Sequence, residues 1–354
     1  MDTLTVPKGM QLSSKHENIK NDIQARIRKG LYHGKIPGVR DLADEYGVNV
    51  KTIQKAVASL IREGILSARV GQGSFVTETR HFCIGITAPP IEQQFFFKHE
   101  YYGSVFEHIL NGIQHRGDFF AYQQKRPSVT YGQLFRKHYS IDGMLVYAIT
   151  ENDEDGIHQL HKRIPTIVIG TTFEHDVINY VDSENEEDSR KATSLLVKRG
   201  HKNILFICDG QNSATRQLRL RGYRKALTEH RLEPDDSHIL MSDDFAGQFR
   251  ESLLAVFTAR NAPTAVFGAN CFMTCRALDI LKERSADLDV VVYDDWDDAL
   301  ALFGIPYTAV VQPTEEIGRV VIEKLYGLMQ GSITGPVQIR LPSKLVMKQR
   351  RRHE

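Results

Sequence analysis

The chain has 354 residues, 41% of them hydrophobic, which is enough for two or three domains with sizeable cores and excludes a disordered chain. Its net charge of +1 conceals an asymmetry: residues 15–80 hold 12 Lys and Arg against 7 Asp and Glu, whereas residues 81–340 hold 27 against 35. A basic module on an acidic body suits a nucleic-acid contact, because the body then stays away from the phosphates.

The cysteines and the chain ends indicate the cellular compartment. Cys83, Cys208, Cys271 and Cys275 show no CxxC or metal-ligand spacing, so we expect reduced, buried thiols. The first 14 residues lack the pattern of a signal peptide, and no later stretch reaches the length of a membrane span. These features predict a cytoplasmic protein.

The first predicted helix follows a loose arm over residues 1–13. Ser14 and Glu17 form a capping-box pair, and isoleucines then recur at helical spacing as far as Gly30.

Two more helices and a hairpin are predicted between residues 37 and 76. Apolar residues at helical spacing from Val39 onward predict a short helix that ends at Gly47, and Asn49 can cap the next helix. That helix is apolar on one side and polar on the other. Two short strands around a Gly-rich tip follow. The sequence therefore predicts a winged helix-turn-helix domain over residues 15–77.

The same segment contains, in order, Ile36-Pro37, Arg40-Asp41-Leu42-Ala43, Gly47-Val48-Asn49, Thr52-Ile53, Glu63-Gly64 and Gly71-Gln72-Gly73-Ser74-Phe75-Val76. This combination resembles the DNA-binding domain of GntR-family repressors. The resemblance implies that the second helix of the motif enters the major groove and the wing tip enters the minor groove. It gives as DNA-binding candidates Arg40, Asn49, Val50, Lys51, Thr52, Gln54, Lys55, Gly71, Gln72 and Gly73. Val50 and Gln54 stand where that family often has arginine.

After a polar joint at residues 78–81, strands alternate with helices, and a helix is predicted around residues 105–113. The predicted strands are Phe82–Ile86, Gly143–Tyr147, Thr166–Ile169, Asn203–Cys208, Ala265–Gly268 and Asp289–Tyr293. This alternation predicts parallel sheets with crossover helices, and the length of the stretch predicts two lobes. We expect residues 346–354 to form a basic C-terminal tail.

Residues 82–345 carry a second set of motifs, which includes Ile84-Gly85-Ile86, Phe95-Phe96-Phe97, Ile141-Asp142-Gly143, Gly200-His201-Lys202-Asn203-Ile204, Arg219-Leu220-Arg221-Gly222-Tyr223 and Tyr293-Asp294-Asp295. The set resembles the effector domain of the LacI/GalR family, which is similar to periplasmic sugar-binding proteins. The resemblance implies an α/β fold of two doubly wound lobes, joined by three crossovers, with a small-molecule ligand in the cleft. Open α/β sheets bind ligands beyond the carboxyl ends of their strands, which agrees with that position.

The resemblance also implies a set of ligand contacts: Thr87, Phe95, Arg219, Phe245, Asn270 and Asp294. The planar fork of an arginine can bridge two sugar hydroxyls or a carboxylate. Gly170 stands where an acidic residue often lies in the family, and Cys271 replaces an aspartate, so analogy does not name the ligand.

Plainer interpretations of these residues stay open. Arg219 could pair with a carboxylate on its own helix, and Phe95 to Phe97 could be core. The acidic run that begins at Asp294 is more typical of a solvated turn than of a metal site. No Ser-His-Asp order, HExxH or GxxxxGK[ST] appears, so the sequence gives no support for an enzyme, a metal or a cofactor.

The sequence thus predicts a transcriptional regulator, namely a repressor that a sugar releases from double-stranded operator DNA. The pairing of a GntR-like reader with a LacI-like sensor is similar to arabinose repressors of the AraR type. We expect a homodimer, because one small module offers too few phosphate contacts for tight binding. Two alternatives remain: an activator or dual regulator of the same build, and a sugar-binding protein without operator function.

Overall fold

The computed structural model describes residues 15–28, 30–32, 34–77, 81–88, 100–125, 129–134, 141–147, 153–173, 177–209, 214–242, 247–282, 287–294 and 299–348. Two of the predicted ligand contacts, Phe95 and Phe245, lie outside these residues, as does Ser14 of the predicted capping box.

The helices in chain order are α1 (Lys15–Arg28), α2 (Val39–Glu45), α3 (Val50–Arg62), α4 (Glu100–Gln114), α5 (Glu154–His161), α6 (Asn185–Lys198), α7 (Ala214–Glu229), α8 (Gln248–Thr258), α9 (Cys271–Leu281) and α10 (Thr314–Gln330). The strands are β1 (Leu66–Arg69), β2 (Gly73–Val76), β3 (Cys83–Thr87), β4 (Phe119–Tyr122), β5 (Gly143–Tyr147), β6 (Thr166–Ile169), β7 (Tyr180–Ser183), β8 (Ile204–Asp209), β9 (Ile239–Ser242), β10 (Ala265–Gly268), β11 (Asp289–Tyr293), β12 (Tyr307–Val311), β13 (Gln338–Leu341) and β14 (Lys344–Lys348).

The first three helices and the β1–β2 hairpin form a winged helix-turn-helix. Its core consists of fully buried side chains from all three helices, namely Ile23, Leu42, Ile53 and Leu60. Ile36 and Val76 tie the hairpin to the segment before α2, since Ile36 N donates to Ser74 O at 3.0 Å and Val76 N donates to Gly34 O at 2.6 Å. The domain therefore holds the hairpin at a fixed place beside the helices.

Two six-stranded sheets form the rest of the chain. The sheet of lobe 1 has the order β13-β7-β6-β5-β3-β4 and is parallel throughout. The sheet of lobe 2 has the order β14-β12-β11-β10-β8-β9, and only its edge strand β14 is antiparallel. Strands β5, β6 and β10 are buried on both faces, as expected where helices cover a parallel sheet. The predicted α/β fold class is confirmed.

The chain passes between the lobes three times. It leaves lobe 1 after β7 and enters α6, which packs on α7 in lobe 2. It returns after β12 into α10, which packs on α4 of lobe 1, and it crosses a third time between β13 and β14. The predicted arrangement of two lobes joined by three crossovers is therefore present.

Short contacts join the winged helix to lobe 1. Phe119 at the start of β4 packs against the core of the winged helix, whose last residue, Thr77, is held by a hydrogen bond from its N to Ile65 O at 3.0 Å. The His81 ring lies edge-on to the Phe119 ring, with 5.9 Å between the ring centroids. Asp118 accepts hydrogen bonds from Phe82 N and from the Tyr326 hydroxyl of α10. Strand β4 and, through Asp118, helix α10 therefore lie against the winged helix.

Several predicted boundaries need correction. Strands β3 and β8 begin and end one residue later than predicted, and α1 ends at Arg28 rather than Gly30. The predicted tail began at residue 346, but β14 runs to Lys348 because its backbone pairs with β12 from Tyr307 to Val311. The sequence analysis did not predict β4, β7, β9, β12, β13 or β14.

None of the four cysteines forms a disulfide. Cys83, Cys208 and Cys271 are buried as predicted, whereas Cys275 is only half-buried. Burial raises the pKa of the Cys208 thiol to about 12, so this sulfur stays protonated and unreactive at neutral pH.

Candidate DNA-binding and ligand-binding sites

The exposed face of α3 holds four of the ten predicted DNA contacts. Val50, Lys51, Gln54 and Lys55 are exposed, whereas the opposite side of the helix is buried in the core. Residues at i, i+3 and i+4 share one helix face, so Lys51, Gln54 and Lys55 lie together. This face offers one amide and two ammonium groups, which can reach base edges and phosphates.

Asn49 fixes the start of that helix. Its side-chain oxygen accepts from Thr52 N at 2.9 Å and from the Thr52 hydroxyl at 2.9 Å. Asn49 thus caps α3 as predicted, and the cap satisfies a backbone N–H that would otherwise lack a partner. Both side chains take part in the cap that sets the start of α3.

The wing turns tightly at Gly71, Gln72 and Gly73, all exposed. Gly71 has φ 72° and Gly73 has φ 104°, a left-handed region that other residues enter at a cost. Two cations that the sequence analysis did not single out stand beside this tip. Arg69 stacks on Phe75, with 4.4 Å from the guanidinium carbon to the ring centroid, and Lys35 approaches Gly73.

The basic side chains of the winged helix fall into two groups. Lys20 and Arg26 form ion pairs with Glu63 and Glu45, so they serve the fold. Among the residues that the structure describes, the domain also has exposed cations that form no ion pair: Lys15, Lys35, Arg40, Lys51, Lys55, Arg62 and Arg69. These charges are free to neutralise phosphates.

Arg219 lies where the carboxyl ends of the two sheets meet. It is 9% exposed, its Nε donates to Asn185 Oδ1 at 2.8 Å, and its Nη1 donates to Ala269 O at 2.7 Å. The guanidinium carbon lies 3.7 Å from the centroid of the Tyr293 ring. Arg219 therefore has a fixed position, and its partners belong to α6 and to two strand ends rather than to its own helix.

Gly222 allows this placement. A Cβ atom at Gly222 would lie 2.1 Å from the backbone oxygen of Glu186, so only glycine lets α7 approach α6 this closely. The close packing of the two helices brings Arg219 within reach of Asn185.

Asn270 and Asp294 lie near Arg219 in lobe 2. Asn270 follows the Ala269 carbonyl that Arg219 binds, and its side-chain oxygen caps α9 by accepting from Met273 N at 3.0 Å. Asp294 follows β11 with φ 63° and accepts from Gln312 Nε2 at 2.6 Å. The charges of Asp294 and Arg219 interact. Three of the predicted ligand contacts are thus brought together.

Contacts from lobe 1 reach the same place. Thr87 at the end of β3 is fully buried, and its hydroxyl has no hydrogen-bond partner in the described part of the chain. The Thr215 hydroxyl of α7 donates to Gly170 O at 3.1 Å, which links the lobes directly. Burial raises the pKa of the Tyr102 hydroxyl in α4 to about 12, and the nearby charges of Arg216 and Arg219 oppose this rise.

A buried polar network at the crossings was not anticipated from the sequence. Asp182 accepts from Ser183 N at 2.8 Å and from Asn185 Nδ2 at 2.9 Å. Gln312 accepts from the Ser183 hydroxyl and donates to Asp294, so it joins the first and second crossings. The sequence shows the run Asp182-Ser183-Glu184-Asn185, but only the fold shows that Asp182 and Asn185 lie beside Arg219.

The described residues contain no group of three His, Cys, Asp or Glu side chains placed to hold a metal ion. No helix within the described ranges is long and apolar enough to cross a membrane. Residues 295–298, which continue the acidic run after Asp294, lie outside those ranges.

Comparisons with known proteins match both parts of the chain. Residues 15–76 match the gntR family of bacterial regulatory proteins, and residues 193–349 match the periplasmic binding protein-like domain. The HTH-type transcriptional regulator CelR of Thermobifida fusca is 27% identical over 271 residues, which cover 72% of this chain and 77% of CelR.

Two solved structures show the same fold. The complex of the regulator CelR with cellobiose has a TM-score of 0.64 at 20% identity and covers 89% of this chain and 100% of that one. The lac repressor dimer bound to operator and the anti-inducer ONPF has a TM-score of 0.63 at 20% identity and covers 77% of this chain and 94% of that one. The chain therefore combines a segment that matches the gntR family, residues 15–76, with a segment that matches the periplasmic binding protein-like domain, residues 193–349.

Proposed function

We propose that this protein is a transcriptional repressor that binds operator DNA through its winged helix and leaves the operator when a sugar binds between its two lobes. One observation carries the proposal: a capped helix with exposed, unpaired cations is joined by a short joint to two lobes whose strand ends meet at Arg219. A reader and a sensor in one chain are what a ligand-controlled switch on DNA requires.

The polar groups around Arg219 support a sugar as the ligand. Arg219 and Asn270 offer donors, Asp294 offers an acceptor, and such convergent groups in a cleft select hydroxyls by hydrogen bonding. The CelR structure, which contains cellobiose, shares this fold. We assign ligand contact to Thr87, Arg219, Asn270 and Asp294, and we retain Phe95 and Phe245 as candidates from the sequence.

The DNA contacts belong to the recognition face and the wing. We assign them to Arg40, Val50, Lys51, Gln54, Lys55, Gly71, Gln72 and Gly73, with Asn49 and Thr52 as the cap. The domains we propose are residues 15–77 for DNA binding, residues 78–81 as the joint, and residues 82–348 for ligand sensing. A regulator of this kind acts in the cytoplasm, requires no cofactor, and performs no catalysis.

Two binding assays test the proposal. A gel shift with the promoter of its own gene should show a complex that a sugar dissolves. Thermal unfolding against pentoses, hexoses and uronic acids should show one class that stabilises the protein by about 2.7 kcal/mol at about 100 times its dissociation constant. A protein that binds no promoter DNA, or whose complex no sugar affects, would contradict the proposal.

A further inference from the structure

A chain of buried side chains links the first interlobe crossing to the ligand arginine. Asn185 Nδ2 donates to Asp182 Oδ2 at 2.9 Å, and Arg219 Nε donates to Asn185 Oδ1 at 2.8 Å. Asp182 is 1% exposed and Asn185 is 2% exposed. We call these three residues the Asp182 relay.

Chemistry fixes the direction of the relay. An ionised carboxylate only accepts hydrogen bonds and a guanidinium only donates them, so the Asn185 amide must turn its NH2 to Asp182 and its oxygen to Arg219. The Asn185 NH2 also donates to Ser183 O at 3.1 Å, which supports the same orientation. If Asp182 carried a proton, its hydrogen bond with the Asn185 NH2 would no longer be charge-assisted, so the amide would be held less firmly against Arg219.

We propose that Asp182 is a positioning residue that controls sugar affinity through Asn185: its ionised form holds the Arg219 side chain in the orientation that binds the ligand, and its protonated form holds that orientation less firmly. The inference rests on the proposed function, since the ligand is the one that Arg219 contacts. Asp182 does not contact the sugar and acts only through Asn185 and Arg219.

The surroundings of Asp182 place its titration in an accessible range. Burial raises the pKa of Asp182 to about 6, although the Ser183 N–H and the charge of Arg219 oppose the rise. The titratable or charged groups that face it are Tyr101 and Tyr102 from α4, Arg219 from α7, Tyr293 from β11 and Arg340 from β13. Burial raises the pKa of each of these tyrosines, and arginines stay charged, so Asp182 alone among these groups changes charge near pH 6.

Two consequences have opposite signs. Sugar affinity should be constant above about pH 7 and fall, by at most about tenfold per pH unit, below about pH 6, because binding needs the ionised form. Without ligand, the raised pKa means that the contribution of Asp182 to folding is full at low pH and is lost as pH rises through about 6. A lower pH therefore weakens sugar binding, whereas it increases the contribution of Asp182 to the stability of the ligand-free protein.

A charge swap within the relay tests the proposal. Asp182→Asn should turn an NH2 toward Asn185 and bind sugar about tenfold more weakly, with no dependence on pH between about 5.5 and 7.5. The double variant Asp182→Asn with Asn185→Asp restores a carboxylate beside Arg219 and should recover most of the affinity. Asp142→Asn is the matched control, since the Asp142 carboxylate accepts a hydrogen bond from Cys83 N at 2.8 Å in lobe 1. This variant should keep the sugar affinity of the wild type and its dependence on pH.

Calorimetry would use whichever of arabinose, xylose, glucose, galactose, cellobiose and glucuronate most raises the wild-type melting temperature. Wild-type affinity and pH dependence in Asp182→Asn, or a double variant no better than the single one, would overturn the relay. If no sugar binds the wild type, the proposed function fails, and the ligand-free proteins still test the relay. The wild type should lose melting temperature relative to Asp182→Asn between about pH 5 and 7, and a constant difference would overturn it.

Discussion

We propose that ligand sensing depends on Arg219. Its guanidinium is held by Asn185, by the Ala269 carbonyl and by the Tyr293 ring. These contacts also fix the directions of its remaining N–H groups. Such a preorganised fork loses little freedom when it binds hydroxyls.

Replacing Arg219 should separate sensing from DNA binding. Arg219→Ala should abolish release of DNA by sugar while operator affinity stays at the wild-type value, because the winged helix is untouched. The loss of its buried partners should also lower the free energy of unfolding by roughly 2–4 kcal/mol, as urea denaturation can measure. Arg219→Lys keeps the charge and should show a smaller stability loss with the same failure to respond. Sugar release from Arg219→Ala at wild-type concentrations would contradict the assignment.

On α3, Gln54 and Lys55 should differ in what they recognise. An amide can pair with an adenine edge, and Val50 can contact a thymine methyl group, so we expect a half-site rich in A and T. Gln54→Ala should relax preference at one base pair by about 1–3 kcal/mol. Lys55→Ala should weaken all sequences alike and reduce the salt dependence, as fluorescence anisotropy on matched and altered duplexes would show. Equal losses on every duplex for both variants would count against the readout.

Among the elements, those with strong local patterns were predictable and those that depend on partners were not. The apolar runs of β5, β6, β10 and β11 and the Asn49 cap gave correct predictions, because a strand buried on both faces and a helix cap each have a local signature. Strand β14 reads Lys-Leu-Val-Met-Lys and remains largely exposed, so only its pairing with β12 makes it a strand.

The candidate sites divide in the same way. The sequence pointed to the exposed face of α3 and to Arg219, because both lie in recognisable motifs. It did not point to Asp182, Asn185 or Gln312 as site residues, because their partners lie far along the chain: Asn185 binds Arg219, which is 34 residues away, and Gln312 binds Ser183, which is 129 residues away. Spatial neighbours far apart in the chain leave no local pattern.

The joint between the domains should carry the signal. Phe119 packs against the core of the winged helix and contacts the His81 ring. The neighbouring Asp118 accepts a hydrogen bond from Tyr326 of α10, the helix that follows the second crossing. A flexible Gly-Ser insertion within residues 78–80 should preserve both the operator affinity of the winged helix and the sugar affinity of the lobes. It should abolish the effect of sugar binding on operator binding. An insertion of equal length after Gly331, where α10 ends, is a suitable control and should leave the response intact. Normal induction in the joint variant would show that the signal takes another route.

At the scale of the whole molecule, the protein should act as a dimer on a two-fold operator. A single winged helix with a small recognition helix makes few phosphate contacts, and doubling the module is the usual way to reach specific affinity at physiological salt. The lac repressor structure with the same effector fold is a dimer on its operator. Light scattering should show a dimer at micromolar concentration that binds one palindrome. A monomer that binds one-to-one would contradict this.

We propose that sugar binding and DNA binding are coupled through the angle between the lobes. Closure on a sugar at Arg219 would shift α10 and β4 relative to lobe 2, and with them the two winged helices of a dimer. Allosteric couplings are typically about 1–3 kcal/mol, which corresponds to a change in operator affinity of roughly 5- to 150-fold.

Because linkage between two binding sites is reciprocal, the most direct measurement is the sugar affinity of the protein with and without saturating operator DNA. Isothermal titration should give a weaker sugar affinity in the presence of operator, reduced by the same factor by which sugar weakens operator binding. A scrambled duplex of equal length should leave the sugar affinity unchanged. Equal sugar affinities with and without operator would contradict the account.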